Sequence, residues 1–576
     1  MSRQTIQADL TWIDGAFVPD RAITVGPDGR IAAVERARPG ALHRLHRVAL
    51  LPGFVNAHSH AFQRGLRGSG ERFASGAGSF WSWRDAMYAL VASLDRDALM
   101  RICRQAFAEM RDAGITSVGE FHYLHHDQDG DFSFDEVVLQ AASEVGVRIV
   151  LLQAYYASGG IGKALERGQN RFATLNLQAY WRQLDRLSRR LDPATQSLGV
   201  VAHSVRAASL AEIKALHAEA VRRRLPFHMH VEEQRREIEE SVAAYGRTPM
   251  RLLCDELGPE GNMTAVHCTH TSPDDMTAFL DRGGRVCVCP LTEANLGDGI
   301  PDLSAPHAFG GRISLGTDSN ARISFIEEMR WLEYGQRLRG ELRGALTDAH
   351  GEVAATTLEA ATSGGSASLG LGAGRIAPGE WADLAAVDLT VPSLLGVPAA
   401  GLPDAIVFGA GNGAIAGTFV GGKWRETDCP NLSRWLDFPA AQENLMFAFL
   451  LTLLILDALL LSAVVLLQAG QGGGLASLGG ATTDTVLGGR QAVTILTKLT
   501  WWCGGIFLAL SLLLSVVPRG GQTSELQERL RATTPVAPAP SAPLPLGGTP
   551  DTATGPAPSG PAPSSGGPAP QSPPSQ

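Results

Sequence analysis

His58 and His60 stand two residues apart in NAHSH, directly after an apolar run of strand length. Side chains at i and i+2 on a strand point to the same side, so the two imidazoles can share one cation. His230 in HMHVEE and Asp318 in LGTDS close two further apolar runs. The four together supply three nitrogens and one carboxylate and leave room for water, which suits zinc or iron(II). An HxH pair alone is a weak signal, whereas four ligands at the ends of three separated runs form a strong one. Glu233 lies three residues past His230, where a strand-to-loop turn can aim its carboxylate at a water acidified by the metal. Its neighbour Glu232 reads as solvated. His267, in MTAVHC, can stabilise the oxygen or amine that develops in a tetrahedral intermediate. This set describes hydrolysis at an sp² carbon.

Eight apolar runs must carry these residues: 49–57, 115–121, 148–154, 198–203, 225–231, 263–268, 285–290 and 312–318. They are mostly uninterrupted rather than alternating, the pattern of strands covered on both faces of a parallel sheet. Each is followed by a helix-compatible segment, so the order predicts an α/β fold, a (β/α)8 barrel of the TIM type. The runs alone also permit a doubly wound open sheet. The polar residues favour the barrel, because there the reactive side chains collect at the C-terminal strand ends. His58, His60, Glu120, His122, His203, His228, His230, His267, His270 and Asp318 all stand at such ends, among them eight of the fifteen histidines.

The composition bounds the rest. A net charge of -9 over 576 residues, without a cluster of Lys and Arg, argues against a nucleic-acid partner. Seven cysteines with no CxxC pair fit a reducing compartment, and the first thirty residues lack the basic start and apolar stretch of a secretion signal. Residues 1–48 and 372–428 read as short strands between Gly and Pro turns, and a small β-sandwich built from both ends is expected around a barrel over 49–371. After a linker at 429–444 come two apolar runs, Leu445–Leu467 with Asp457 as its one charge and Leu499–Val517 with none. Each is long enough to cross about 30 Å of hydrocarbon as a helix, and a two-helix transmembrane hairpin over 445–519 follows. Residues 520–576, rich in Pro, Ala, Gly and Ser, cannot bury a core and are expected to be disordered.

PGFVNAHSH, HMHVEE, VHCTH and LGTDS together resemble the amidohydrolase superfamily, in its aminohydrolase branch with one metal. The branch with two metals carries a lysine at the end of strand four, where this chain reads GVVAHSVR. NAHSHAFQRGLRG, FWSWRDAMY, EFHYLHHD, AHSVRA and EEMRWLEYGQRLR further resemble the formimidoylglutamate deiminases of histidine breakdown, over about residues 5–430. The resemblance implies one divalent metal, zinc or iron, on His58, His60, His230 and Asp318, with Glu233, His267 and Asp318 sharing proton transfers. It implies the substrate N-formimidoyl-L-glutamate, deiminated to N-formyl-L-glutamate and ammonia, and held by Gln63, Arg84, Tyr123, His203 and Arg206. The chain departs from the pattern at AHSVRA, where a proline before the histidine is common. A ring aminohydrolase such as a guanine deaminase shares the metal motifs and is the alternative. The membrane segment, with LLQAGQGGGLASLGG and GGRQAVTILTKLTWW, resembles SecG, a two-helix subunit of the Sec protein-export channel, over about 446–519. That implies channel subunits as partners and a multi-pass chain in the bacterial inner membrane with its enzyme part cytoplasmic. A homo-oligomeric barrel is also expected. A chain acting mainly in protein export is the second alternative.

Overall fold

The computed structural model describes residues 4–37, 43–69, 71, 78, 80–127, 130–258, 261–304, 311–426, 453–463, 465, 498–509 and 511. The chain divides into two units, Met1–Phe438 and Pro439–Gln576.

In the first unit the strands are β1 Gln4–Ile13, β2 Ala16–Val25, β3 Ile31–Arg36, β4 His43–Pro52, β5 Phe54–Ser59, β6 Ile115–His122, β7 Arg148–Tyr155, β8 Gln196–Ala202, β9 Phe227–Val231, β10 Met263–His267, β11 Arg285–Val288, β12 Ile313–Leu315, β13 Leu384–Asp388, β14 Ile415–Val420 and β15 Lys423–Glu426. Helices α1 Phe80–Ser93, α2 Arg96–Asp112, α3 Ser133–Val145, α4 Leu177–Ser188, α5 Leu210–Arg223, α6 Arg235–Tyr245, α7 Pro249–Leu257, α8 Pro273–Asp281, α9 Pro290–Leu296 and α10 Phe325–Gly340 lie between the barrel strands and after the last.

Strands β5 to β12 pair in chain order, each parallel to the next. A parallel bridge from Ser59 to Asp318 joins the first strand to the segment after the last. There His58 O accepts the amides of Thr317 and Asp318 at 3.0 Å, and His60 N donates to Asp318 O at 2.8 Å. The ring is nearly closed, which excludes the open doubly wound sheet. Most barrel strands are buried on both faces, as uninterrupted apolar runs require.

Three boundaries depart from the sequence reading. The run at 49–57 is not one strand: it ends β4 of the other sheet, turns at Gly53 and begins barrel strand β5. A side chain at Gly53 would collide with Thr116, so the chain changes sheets where only glycine fits. The seventh run stops at Val288, because Pro290 opens α9 as its first residue. The eighth shrinks to three residues.

The remaining strands come from both ends of the unit and form one sheet in the order β15-β14-β13-β4-β1-β2-β3. Where a sandwich was expected, β4 pairs with β1 on one side and β13 on the other and so joins the two ends into a single hydrogen-bonded sheet. It has its own apolar core, including Ile6, Ile23, Leu50, Leu384 and Phe419. Barrel and sheet are fastened by buried Arg148 at the start of β7, whose Nε donates to Asp383 at 2.7 Å while its guanidinium stacks on Trp381.

In the second unit, helix is described over 453–463 and 498–509. Among the described residues no helix is long and apolar enough to cross a membrane. The remainder of the runs 445–467 and 499–517, the linker 429–444 and the tail 520–576 lie outside the described residues.

Candidate active site

The C-terminal ends of the barrel strands bring the predicted groups together. His58 and His60 leave β5, His230 leaves β9, His267 leaves β10, and Asp318 follows β12. Asp318 Oδ1 lies 3.3 Å from Nε2 of both His58 and His60, and His58 Nε2 lies 3.2 Å from His230 Nε2. The ligand atoms of His58, His230, His267 and Asp318 are all within 4.8 Å of one another. His267 therefore stands closer to the predicted ligand set than its spacing in the sequence indicates.

The chemistry of this set fits a cation. His60 donates Nδ1–H to Phe121 O at 2.7 Å, and His230 donates Nδ1–H to His203 O at 3.1 Å. Each is thereby fixed in the tautomer whose Nε2 carries a lone pair, and both lone pairs face the same small volume. Burial holds His58, His60 and His230 below the usual imidazole range, His60 at about 3, so they stand as neutral donors. Asp318 stays ionised: burial would raise it, but the imidazoles around it hold it below the carboxylate range. Gly316 is required beside them, because a Cβ there would come within 2.7 Å of the His58 side chain.

Glu233 and His267 sit against the ligand set. His267 Nε2 is 3.8 Å from Glu233 Oε1 and 3.9 Å from Asp318 Oδ2, and its Nδ1 faces Glu293 Oε1 at 3.3 Å. Burial would lower His267, but the three carboxylates raise it well above its ordinary value. Burial raises Glu233. Two of these residues hold left-handed backbone, His267 at φ 74° and Asp318 at 42°, as does Glu232 beside Glu233 at 54°. Such conformations recur where a site dictates the aim of a side chain.

A cavity next to the ligand set is lined by all five predicted substrate-binding residues, Gln63, Arg84, Tyr123, His203 and Arg206, together with His60, His230, Glu233 and Asp318. Aromatic side chains of Phe80, Trp83, Tyr88, Tyr156 and Phe172 complete its wall. Gln63 donates to Tyr123 Oη at 2.7 Å. Arg84 packs its guanidinium over Trp81 and Tyr88, and the Nε–H groups of Arg84 and Arg206 are buried without a hydrogen-bond acceptor. His203 is held well below its ordinary value by burial and by Arg206.

Not every strand-end group belongs here. His228 faces Ser368 O at 2.8 Å, away from the cavity, and burial lowers it to about 4. His122 forms a separate buried cluster with His125 and Asp135. Glu120, pushed up to about 8 by burial, accepts the Ala61 amide at 2.6 Å and supports the turn after His60. Glu232, expected in solvent, is 1% exposed and accepts the Met250 amide at the start of α7. Two partners were missed: Glu293 behind His267, and Glu237, 3.5 Å from Arg206. Glu237 lies one helical turn past Glu233, a spacing legible in EEQRREIEE. Glu293 sits in PLTEANLGDG after the seventh run and carries no such local signal.

The Amidohydrolase family model matches residues 49–425, and the Preprotein translocase SecG subunit model matches 447–533. A formimidoylglutamate deiminase of Pseudomonas aeruginosa is 38% identical over 383 residues, covering 65% of this chain and 84% of its own. A 5-methylthioadenosine/S-adenosylhomocysteine deaminase of Archaeoglobus fulgidus is 28% identical, covering 66% and 84%. Among solved structures, an amidohydrolase of Brucella melitensis superposes with a TM-score of 0.68 at 30% identity, over 75% of this chain and 97% of that one. An adenosine deaminase of Xanthomonas campestris with bound zinc shares the fold at 0.63 and 24% identity, over 76% and 95%.

Proposed function

Because the chain belongs to the amidohydrolase family, we propose that its first unit hydrolyses N-formimidoyl-L-glutamate to N-formyl-L-glutamate and ammonia. The observation that carries this reading is the pair of guanidinium groups, of Arg84 and Arg206, lining one cavity beside the His and Asp cluster, with the Arg84 Nε–H buried and without an acceptor among the described residues. A buried cationic donor without an acceptor is costly, and two guanidinium groups in one cavity favour an anionic ligand. A dicarboxylate meets that demand and a purine ring does not.

His58, His60, His230 and Asp318 would hold a single divalent metal, zinc, with His267 alongside. Once bound, it acidifies water and polarises the carbon under attack. Glu233 takes one proton from the attacking water as C–O forms and delivers it to the departing nitrogen, and Asp318 takes the remaining hydroxyl proton as the carbonyl forms and C–N breaks, both protons leaving on ammonia. His267 donates through Nε2 to charge developing on the tetrahedral centre, and Glu293 holds its Nδ1. Arg84 and Arg206 bind the carboxylates, Gln63, Tyr123 and His203 orient the formimidoyl group, and the aromatic wall keeps bulk water out. For 447–533 we infer a SecG-like segment that places the chain at the bacterial inner membrane, next to export-channel subunits.

Ammonia release by the metal-loaded full chain tests the reaction. Turnover of N-formimidoyl-L-glutamate is expected, with Arg84→Met or Arg206→Met mainly raising KM. Release from guanine or a methylthioadenosine, without release from formimidoylglutamate, would reverse the choice.

A further inference from the structure

Glu237 lies in the first turn of α6 and is 1% exposed, and neither of its carboxylate oxygens has a hydrogen-bond partner among the described residues. The cation beside it is Arg206, whose Nε lies 3.5 Å from Glu237 Oε2. On its other side the same guanidinium reaches Glu233, with Nη2 3.8 Å from Oε2. One half-buried arginine is thus suspended between two buried carboxylates, one assigned to proton transfer and one with no role in the chemistry.

An unsolvated carboxylate at this position costs more than an apolar side chain would. Its geometry shows what it returns. If Glu237 were neutral, Glu233 would be the carboxylate left within ion-pair reach of Arg206. The guanidinium would then settle onto the base, and an incoming carboxylate would have to break that pair. With Glu237 holding the Nε edge, the Nη edge stays presented to the cavity. We propose that Glu237 is the positioning residue that keeps Arg206 available to a substrate carboxylate and thereby sets the preference for dicarboxylate substrates. Burial pushes Glu237 up to about 7, with Arg206 opposing and Glu233 and Glu232 adding to the rise, so its charge depends on keeping Arg206 beside it.

This inference rests on the proposed deiminase reading, and the test separates the two. The metal-loaded full chain and its Glu237→Gln variant are compared on N-formimidoyl-L-glutamate and on two analogues lacking one carboxylate each, N-formimidoyl-4-aminobutyrate and N-formimidoyl-L-norvaline. The variant should keep its metal and a kcat within about threefold, raise KM on the order of tenfold, and lose a similar factor of preference over one analogue. Glu237→Asp, which keeps the charge on a shorter arm, should fall between the two. Native KM and native preference in Glu237→Gln overturn the proposal. If that variant loses its metal or its fold, Glu237→Asp decides in the same way. Absence of formimidoylglutamate turnover in the unaltered chain would instead overturn the deiminase reading.

Discussion

His60 and His230 each commit one ring nitrogen to a backbone carbonyl, so the carbonyls of Phe121 and His203 select the tautomers on which the site depends. The proposed ligand and the proposed base stand apart: His230 sets its Nε2 3.2 Å from that of His58, whereas Glu233 faces His267 and Arg206. Glu233→Gln is therefore expected to retain stoichiometric metal while turnover falls by a factor on the order of 10² to 10⁴. His230→Ala is expected to lose the metal together with the activity. Elemental analysis of the two purified variants checks both, and metal present in the second but absent from the first would exchange the roles.

At the scale of elements, the segment after β6 is tied down by a charge pair that takes no part in the chemistry. His125 faces Asp135 Oδ1 at 2.8 Å and Ala154 O at 2.7 Å from its two ring nitrogens. Asp135 also accepts from Gln153 and Gln183, which draws β7, α3 and α4 around one carboxylate. Burial would raise Asp135, but His125 and His122 outweigh it and hold the carboxyl below its ordinary value of 3.8. A carboxylate depressed in the folded state contributes stability that is complete above the unfolded pKa and is lost as pH falls below it. Asp135→Asn should destabilise the first unit by about 3–5 kcal/mol at pH 7, and the gap should close as pH drops below about 4. Denaturant unfolding of both chains across that range measures it, and a gap independent of pH would refute the ion pair. Much of this architecture was legible beforehand, because continuous apolar runs mark doubly covered strands and polar residues mark their ends. The first run deceived because apolarity does not register a change of sheet at Gly53. Glu232 deceived because its role as acceptor for α7 depends on a helix that starts seventeen residues later. The convergence of His58, His60, His230 and Asp318 was readable because each stands at a strand end, while Glu293 required the folded position of α9.

For the molecule as a whole, one polypeptide carries a match to the Amidohydrolase model at 49–425 and a match to the SecG model at 447–533. The run Leu445–Leu467 carries Asp457, which costs about 2.5–3.5 kcal/mol at a helix centre, and its many Leu, Ile and Val residues return about 0.3–0.6 each. Insertion is favoured on this count. Cells making the full chain should show the intact 61.0 kDa polypeptide in the membrane fraction, resistant to extraction by high salt. Intact chain in the soluble fraction would refute insertion.

The sheet joined from both ends of the first unit also fixes a schedule. Strand β4 lies between β1, which leaves the ribosome early, and β13, made more than three hundred residues later. At about 5–20 residues per second, β1 to β4 wait on the order of 20–80 s for β13 to β15. The apolar run from Leu445 follows β15 by fewer than twenty residues. Completion of this sheet and emergence of the apolar run thus fall within the same few seconds of synthesis.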